Sequence, residues 1–302
     1  MCQPTHTNKF RGDMYSPVVL PLARNMQSKI AMWYLASLAL LFTALFSAPL
    51  QAEPASLRIG GTGGALATMQ KLAKEFRQSH PDIDIIIPPS LGSGGGIKAL
   101  LAGALDISVS ARPLKPKEEA AGAQAIAFAK TPFILASSPD NPTTGITVAE
   151  LAAIYSGEQR HWRDGRRIRV LLRHSHDSDT KLLRSMSAGM DRALDVAYTQ
   201  PGLRITSTDQ ESASALERTP GALGTSTLAL MHSENRAFKV LALNGVMPST
   251  ATMSDGSYPY YKMFYLVTGQ NPSPPARAFL DFMRSPRAHT VLGANGSLPL
   301  RN

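Results

Sequence analysis

Three segments of the chain place glycine and hydroxyl-bearing residues directly between an apolar stretch and a helical pattern. They are GGTGG at residues 60–64, SLGSGGG at 90–96 and SHDSDT at 175–180. The first turn of a helix leaves backbone N–H groups unpaired and carries a partial positive charge, so it binds anions readily. Glycine permits close approach of the backbone, and hydroxyls add donors. Together the segments predict a site for a small tetrahedral oxyanion, whereas each one alone could be only a turn or a helix cap.

Two other functions, dinucleotide binding and hydrolysis, are disfavoured because their sequence motifs each lack a required glycine. Gly61 and Gly63 begin a dinucleotide-binding fingerprint, but Leu66 stands where its third glycine belongs. Ser93 would need a glycine in place of Leu91 to form the nucleophile elbow of a hydrolase. The sequence therefore favours binding over catalysis.

Candidate metal ligands are sparse. His174 and His176 lie beside Asp177 in a polar loop, where solvated side chains are more common than metal ligands. The single cysteine, Cys2, lies near the N-terminus, upstream of the signal described below. We predict neither a metal site nor a cofactor.

Apolar, β-prone segments alternate with helical patterns, which predicts βα units around largely parallel sheets and hence an α/β fold. Thr147 and Glu150 form a capping box that should begin a helix, and Gly157 should end it. The predicted strands are residues 57–59, 83–88, 107–110, 133–136, 168–172 and 264–267, and the predicted closing helices are residues 276–283 and 288–292.

The N-terminal region has the composition of a secretory signal. Residues 30–48 are almost wholly apolar, Lys29 precedes them and small residues follow. We expect translation to start at Met26 and cleavage after Ala52, so that residues 1–52 are a leader and the mature protein is periplasmic. The alternative is an uncleaved anchor helix.

Composition and charge narrow the class of partner. The 302 residues are 43% hydrophobic and 18% charged, as expected of a globular protein with a substantial core. The net charge of +9 is spread along the chain instead of forming blocks, which argues against nucleic-acid binding and mildly favours anions.

Six segments carry a resemblance to a known family, and together they span most of the predicted mature chain. The more specific motifs are the serine loop around Ser93 and the YSG sequence that ends at Gly157, followed by Trp162. The segments are residues 57–64, 91–98, 106–114, 146–162, 173–180 and 256–298. They resemble the phosphate-binding proteins of ABC importers, within the type II periplasmic substrate-binding proteins.

This resemblance implies a two-lobed type II periplasmic-binding-protein fold with a hinge and an interlobe ligand cleft. Lobe one would comprise residues 53–137 and 259–302, and lobe two residues 138–258. The protein would act as a monomer that captures phosphate and delivers it to an ABC permease at the inner membrane, without catalysis. We expect ten ligand-binding residues from the motifs of this family and from the hypothesis in the next paragraph. They are Thr62, Gly63, Gly64, Ser93, Gly94, Arg112, Arg173, Ser178, Asp179 and Thr180.

The chain departs from the family pattern at two positions. Ala111 replaces the usual aspartate that accepts a hydrogen bond from protonated phosphate, and Asp179 replaces a usual glycine. We hypothesise that Asp179 takes over as the acceptor and that Arg112 balances its charge. The alternative is that Asp179 caps its helix and points away. The stretch from Arg173 to Ser178 is also one residue longer than usual.

Two other functions remain compatible with the sequence. A periplasmic sensory or interaction protein could keep the same fold without a role in transport. A periplasmic hydrolase could use Ser93 or Ser178, but the sequence shows no His–Asp partner for either serine.

Overall fold

The computed structural model describes residues 55–300, which form a mixed α/β body. The strands are β1 Ala55–Gly61, β2 Ile83–Ile86, β3 Ile107–Ser110, β4 Gln124–Ser137, β5 Gly145–Ile146, β6 Arg169–Arg173, β7 Arg204–Thr206, β8 Ala222–Thr227, β9 Lys239–Leu243, β10 Tyr261–Thr268 and β11 Leu298–Pro299. The helices are α1 Gly63–Phe76, α2 Gly92–Leu101, α3 Pro116–Ala120, α4 Val148–Ser156, α5 Ser178–Ser185, α6 Ala188–Thr199, α7 Asp209–Arg218, α8 Leu228–Ser233, α9 Thr250–Ser254, α10 Pro274–Phe282 and α11 Pro286–Ala294.

The N-terminal predictions fall outside this range. The predicted leader, its start at Met26 and the proposed cleavage after Ala52 lie in residues that the structure does not describe. Within residues 55–300, none of the helices combines the length and the apolar run that crossing a bilayer requires.

The sheet consists of two parallel groups on either side of an antiparallel pair. Its main order is β2-β1-β3-β10-β4-β8-β6-β7. Strand β1 runs parallel to β2 and β3, and β6 runs parallel to β7 and β8, whereas β4 and β10 are antiparallel to each other. In open α/β sheets ligands bind outside the carboxyl ends of parallel strands. The loops after β1 and β6 are therefore the places where a site is expected.

Residues 55–300 contain four hydrophobic cores, and the two largest lie at different ends of the sheet. One core includes Leu57, Met69 and Phe279, and the other includes Leu151 and Leu172. Aromatic side chains fill much of both cores, because they bury large apolar areas. These aromatic residues are Phe76, Phe128, Phe264, Phe279 and Phe282 in the first core and Phe133, Tyr155, Trp162 and Tyr258 in the second.

Strand β4 changes its pairing partner along its length. Its residues 124–132 pair with β10, and its residues 133–137 pair with β8. The predicted lobe boundaries at residues 137 and 258 stay predictions. From the change of pairing partner we propose that the chain first crosses between lobes near Phe133.

The local signals in the sequence correspond to real helix ends. Thr147 Oγ1 accepts from the Glu150 N–H, and the Glu150 carboxylate accepts from the Thr147 N–H at 2.8 Å, which is the predicted capping box. Gly157 ends α4 with a φ of +82°, a conformation that favours glycine. The predicted closing helices are α10 and α11.

One glycine lets α2 lie directly on β1 near the candidate site. A Cβ atom on Gly96 would lie 2.6 Å from Gly61 Cα and 2.6 Å from Ser108 Oγ. Gly61 Cα is a backbone atom, so it cannot move aside unless β1 shifts. Because α2 begins within the second glycine-rich segment, this close approach fixes where that segment lies.

We expect Gly96→Ala to lower the free energy of unfolding by about 1–3 kcal/mol, because overpacking forces the helix away from the strand. Gly189→Ala is a matched control in α6, since its Cβ would meet only Ser187 Oγ at 3.7 Å. That variant should stay within about 0.5 kcal/mol of the parent. Urea unfolding measures both, and equal stabilities for the two variants would contradict the packing argument.

Candidate functional site

A cavity of about 280 Å³ lies in the cleft between the lobes. Lobe one lines it with Thr62, residues 90–95, Arg112 and Lys115, and lobe two lines it with side chains that follow β6 and β7. The cavity therefore lies at the carboxyl ends of β1 and β6, where the topology predicts a site. Four basic side chains face two carboxylates there, which leaves an excess of positive charge. The basic residues are Arg112, Lys115, Arg173 and Lys181, and the carboxylates belong to Asp177 and Asp209.

The structure brings six of the ten predicted site residues to the wall of this cavity. These are Thr62, Ser93, Gly94, Arg112, Arg173 and Ser178. The other four, Gly63, Gly64, Asp179 and Thr180, do not line it. Thr180 is buried, and its hydroxyl donates to the His174 carbonyl oxygen at 2.9 Å.

In lobe one, Ser93 presents a hydroxyl with a free proton to the cavity. Its Oγ accepts from the Ala111 N–H at 2.9 Å, so its own proton remains available. Thr62 has no side-chain capping bond to α1, and its N–H donates to the Val109 carbonyl oxygen. This wall thus offers hydroxyl groups and the glycine-rich backbone of α2 to a ligand.

In lobe two, a buried arginine supplies the central positive charge. The Arg173 side chain is only 6% exposed, and Nη2 donates to Asp177 Oδ2 at 2.9 Å. Nη1 donates to the Thr206 carbonyl oxygen at 3.2 Å, and Nη2 lies 3.6 Å from Asp209 Oδ1. Nε has no hydrogen-bond partner among the described residues. The guanidinium is therefore held rigidly while keeping donor capacity to spare.

Asp209 joins the two lobes across the cleft. Its Oδ2 accepts from the Gly64 N–H at 2.9 Å, and next to it Gln210 Nε2 donates to the Gly63 carbonyl oxygen at 3.0 Å. Burial raises the pKa of Asp209, and the charge of Arg173 opposes that rise. The backbone donor that the sequence assigned to a ligand at Gly64 is thus paired with a carboxylate of the other lobe.

Sequence reasoning missed Asp209, although a signal for its position exists. Ser207 and Thr208 follow residues 203–206, of which only Leu203 and Ile205 are apolar, and Thr208 with Glu211 has the spacing of a capping box. In the structure Thr208 Oγ1 accepts from the Glu211 N–H at 3.0 Å. Residues 207–211 thus form a further strand-to-helix junction at the cleft.

The predicted pairing of Arg112 with Asp179 is wrong. Arg112 forms a bidentate ion pair with Glu118, with distances of 2.7 and 2.8 Å. Asp179 instead pairs with Lys262 and accepts from Thr225 Oγ1 at 2.7 Å. Arg112 and Asp179 each have an opposite charge in direct contact, so Arg112 does not balance the charge of Asp179.

The alternative interpretation of Asp179 as a helix cap is also wrong. The capping residue of α5 is Asp177, whose Oδ1 accepts from the Asp179 N–H at 2.9 Å. Asp177 therefore serves two purposes, because its other oxygen holds Arg173. The insertion before Ser178 leaves this Arg173 contact intact.

The histidines next to this loop do not form a cluster of metal ligands. The rings of His174 and His176 stack with centroids 5.5 Å apart. Within residues 55–300 there is no group of three or more His, Cys, Asp or Glu side chains placed to hold a metal ion.

The Arg112–Glu118 pair predicts a specific pH dependence. Hydrogen bonding to Arg112 lowers the pKa of Glu118 from 4.5 to about 2. A lowered carboxyl pKa stabilises the fold above the unfolded value, and this contribution disappears as pH falls from 4.5 through 2. Between pH 5 and pH 2.5 we expect the parent to lose about 2–3 kcal/mol more stability than Glu118→Gln.

Urea unfolding at a series of pH values measures this difference. Glu119→Gln, at an exposed neighbouring position, is the control and should follow the parent. Parallel pH curves for the parent and Glu118→Gln would show that the ion pair contributes nothing to acid stability.

Known proteins resemble this chain over most of its length. A phosphate-binding protein PstS from Bacillus subtilis is 25% identical over 239 residues, which cover 76% of this chain and 75% of that protein. Protein SphX from Synechococcus elongatus is 26% identical over 255 residues, covering 76% and 74%. Among solved structures, one from Clostridium perfringens is described as a phosphate ABC transporter substrate-binding protein with bound phosphate. It superposes with a TM-score of 0.70 at 20% identity, covering 81% of this chain and 99% of that one.

A second solved structure shares the fold at greater distance. An ABC-type phosphate transport receptor from Vibrio cholerae superposes with a TM-score of 0.58 at 18% identity, over 80% of this chain and 99% of that one. The sequence profile described as PBP superfamily domain matches residues 48–287. The chain belongs to the PBP superfamily, with the two-lobed type II fold that its sequence predicted.

Proposed function

We propose that this protein captures inorganic phosphate, or a similar tetrahedral oxyanion, between its lobes and delivers it to an ABC permease. One observation carries the proposal. The buried guanidinium of Arg173 faces a cavity that also receives hydroxyls from Ser93 in lobe one and Ser178 in lobe two. Charge-assisted bonds from a fixed guanidinium are the strongest that a protein offers to an oxyanion. The phosphate named for the curated relatives matches this donor set.

The proposed contacts divide into direct and supporting ones. Arg173, Ser93 and Ser178 would donate directly to the anion, and Thr62 and Gly94 would complete the donor set from lobe one. Lys115 and Lys181 would add a positive field at the cavity wall. Arg112, at the cavity wall, would add to the positive field although it is paired with Glu118. The remaining predicted residues would support the site from behind it, namely Gly63, Gly64, Asp179 and Thr180.

Carboxylates at the cleft bear on which anion is bound. An ionised carboxylate can only accept hydrogen bonds, so Asp177 and Asp209 offer partners to a proton carried by the ligand. They repel an anion that has lost every proton, as sulfate has at neutral pH. We therefore expect phosphate to bind more tightly than sulfate. This places the discrimination at Asp209, facing the guanidinium at 3.6 Å, and not at Asp179.

Export, partner and assembly complete the proposal. The signal-like composition of residues 30–48 supports secretion to the periplasm. The ABC transporter in the name of the similar structure from Clostridium perfringens supports delivery to a permease. We propose that the protein works as a monomer, without catalysis and without a nucleic-acid partner.

Isothermal titration of protein freed of bound anion tests this function. Arg173→Gln should weaken phosphate binding about 10- to 100-fold, because hydrogen bonds to a charged group contribute about 1.5–3 kcal/mol. Arg169→Gln is the matched control, since Arg169 is exposed at the opposite end of the same strand, β6. Its affinity should equal that of the parent.

Two results would contradict the proposed function. One is the absence of any heat of phosphate binding by the stripped parent protein. The other is equal affinity for phosphate in the parent and in a folded Arg173→Gln variant, since that would place the ligand away from the guanidinium.

A further inference from the structure

A buried ion pair connects the returning strand β10 to the first turn of α5. Lys262 Nζ pairs with Asp179 Oδ1, and the side chains are only 6% and 2% exposed. The lysine nitrogen also lies 5.9 Å from the centre of the Phe133 ring, close to where β4 changes its pairing partner. Neither charged group belongs to the cavity wall. A pair buried this deeply contributes little net stability, because desolvating both charges offsets most of their attraction. Its presence therefore points to a role other than stability.

The same lysine contacts a residue of the cavity wall. Lys262 Nζ donates to Ser178 Oγ at 3.1 Å. An ammonium group can only donate, so Ser178 must act as the acceptor in that bond. The hydroxyl proton of Ser178 is therefore directed elsewhere and remains available to a ligand in the cavity.

The position of Asp179 creates an electrostatic problem for anion binding. Its negative charge lies in the first turn of α5, next to Ser178, and works against the helix end as an anion-binding site. Lys262 is the only basic side chain that forms an ion pair with Asp179 among the described residues. Burial lowers the pKa of Lys262 to about 8, with Asp177 opposing and Arg173 adding to that shift, so the lysine stays largely protonated at pH 7.

We propose that Lys262 is a positioning residue for the oxyanion site: it cancels the charge of Asp179 and fixes Ser178 as a hydroxyl donor toward the cleft. This inference rests on the proposed function of the cleft as an oxyanion site. Asp179 replaces a glycine that is usual in the family, and Lys262 is the partner that compensates its charge. Anion affinity then depends on Lys262, a residue of β10 that does not touch the ligand.

The effects of the two charges on affinity and on stability separate this role from a purely structural one. Asp179→Asn keeps one oxygen for Lys262 and offers an amide N–H to the Thr225 hydroxyl in place of the second oxygen. It removes a negative charge beside the site, so phosphate should bind several-fold more tightly. Lys262→Met leaves that charge uncompensated, and affinity should fall on the order of tenfold. Both single variants should lower resistance to urea. The double variant should bind within about threefold of the parent.

Titration calorimetry with phosphate at pH 7 and low salt, beside urea unfolding, measures both properties. Lys239→Met is the matched control, because that partly buried lysine donates to the Asn141 carbonyl oxygen at 2.7 Å, away from the cavity wall. It should reduce stability without changing affinity. If Lys262→Met does not fold, Asp179→Asn alone decides the question.

Weaker or unchanged phosphate binding by folded Asp179→Asn would overturn the proposal, and so would a folded double variant that binds no better than Lys262→Met. Those results leave the cleft as an oxyanion site if the parent still binds phosphate. A parent protein that binds no phosphate contradicts the proposed function itself, and the role of Lys262 falls with it.

Discussion

A guanidinium buried between two lobes is the constraint around which the cleft is organised. An unpaired charge in that position would cost several kcal/mol. Arg173 is therefore balanced by carboxylates from two separate helix starts, Asp177 at α5 and Asp209 at α7, and by the Thr206 carbonyl oxygen at the end of β7. These partners come from two neighbouring strand-to-helix junctions, Asp177 from the one after β6 and Thr206 with Asp209 from the one after β7. The arrangement holds the cation in place and leaves Nε without a protein partner among the described residues.

Asp209, one of the carboxylates that balance Arg173, also connects the two lobes. Asp209 faces Arg173 with one oxygen and accepts from the Gly64 N–H of lobe one with the other. Separating the lobes would break this bond and the neighbouring one from Gln210, and it would return the cleft to water. Charge compensation in lobe two and contact with lobe one are thus one structural feature. A ligand that binds Arg173 would act on both, which is how a binding protein of this fold couples capture to closure.

Local features were predictable from the sequence because they depend on neighbours in the chain. The capping box at Thr147 and the glycine end of α4 at Gly157 need only residues a few positions apart. The strand-to-helix junctions were recognisable for the same reason, and so was Ser93 at the cavity wall. The family resemblance then supplied the two-lobed architecture, which local patterns alone do not specify.

The contacts of Asp179 and Asp209 across the cleft could not be predicted, because their partners are distant in sequence. Lys262 and Asp179 are 83 residues apart, and the Gly64–Asp209 contact spans 145 residues. The missing aspartate at position 111 led to the hypothesis that Asp179 is the acceptor and is balanced by Arg112, yet Arg112 has a closer carboxylate in Glu118. Which side chains meet across a cleft depends on how the lobes pack, and spacing along the chain does not contain that information.

A crystal structure of the mature protein grown with phosphate tests the central claim most directly. The account predicts one phosphate between the lobes, with its oxygens within hydrogen-bonding distance of the Arg173 guanidinium and of the Ser93 and Ser178 hydroxyls. A cleft without phosphate at saturating concentration, or phosphate bound only at a surface remote from Arg173, would contradict it.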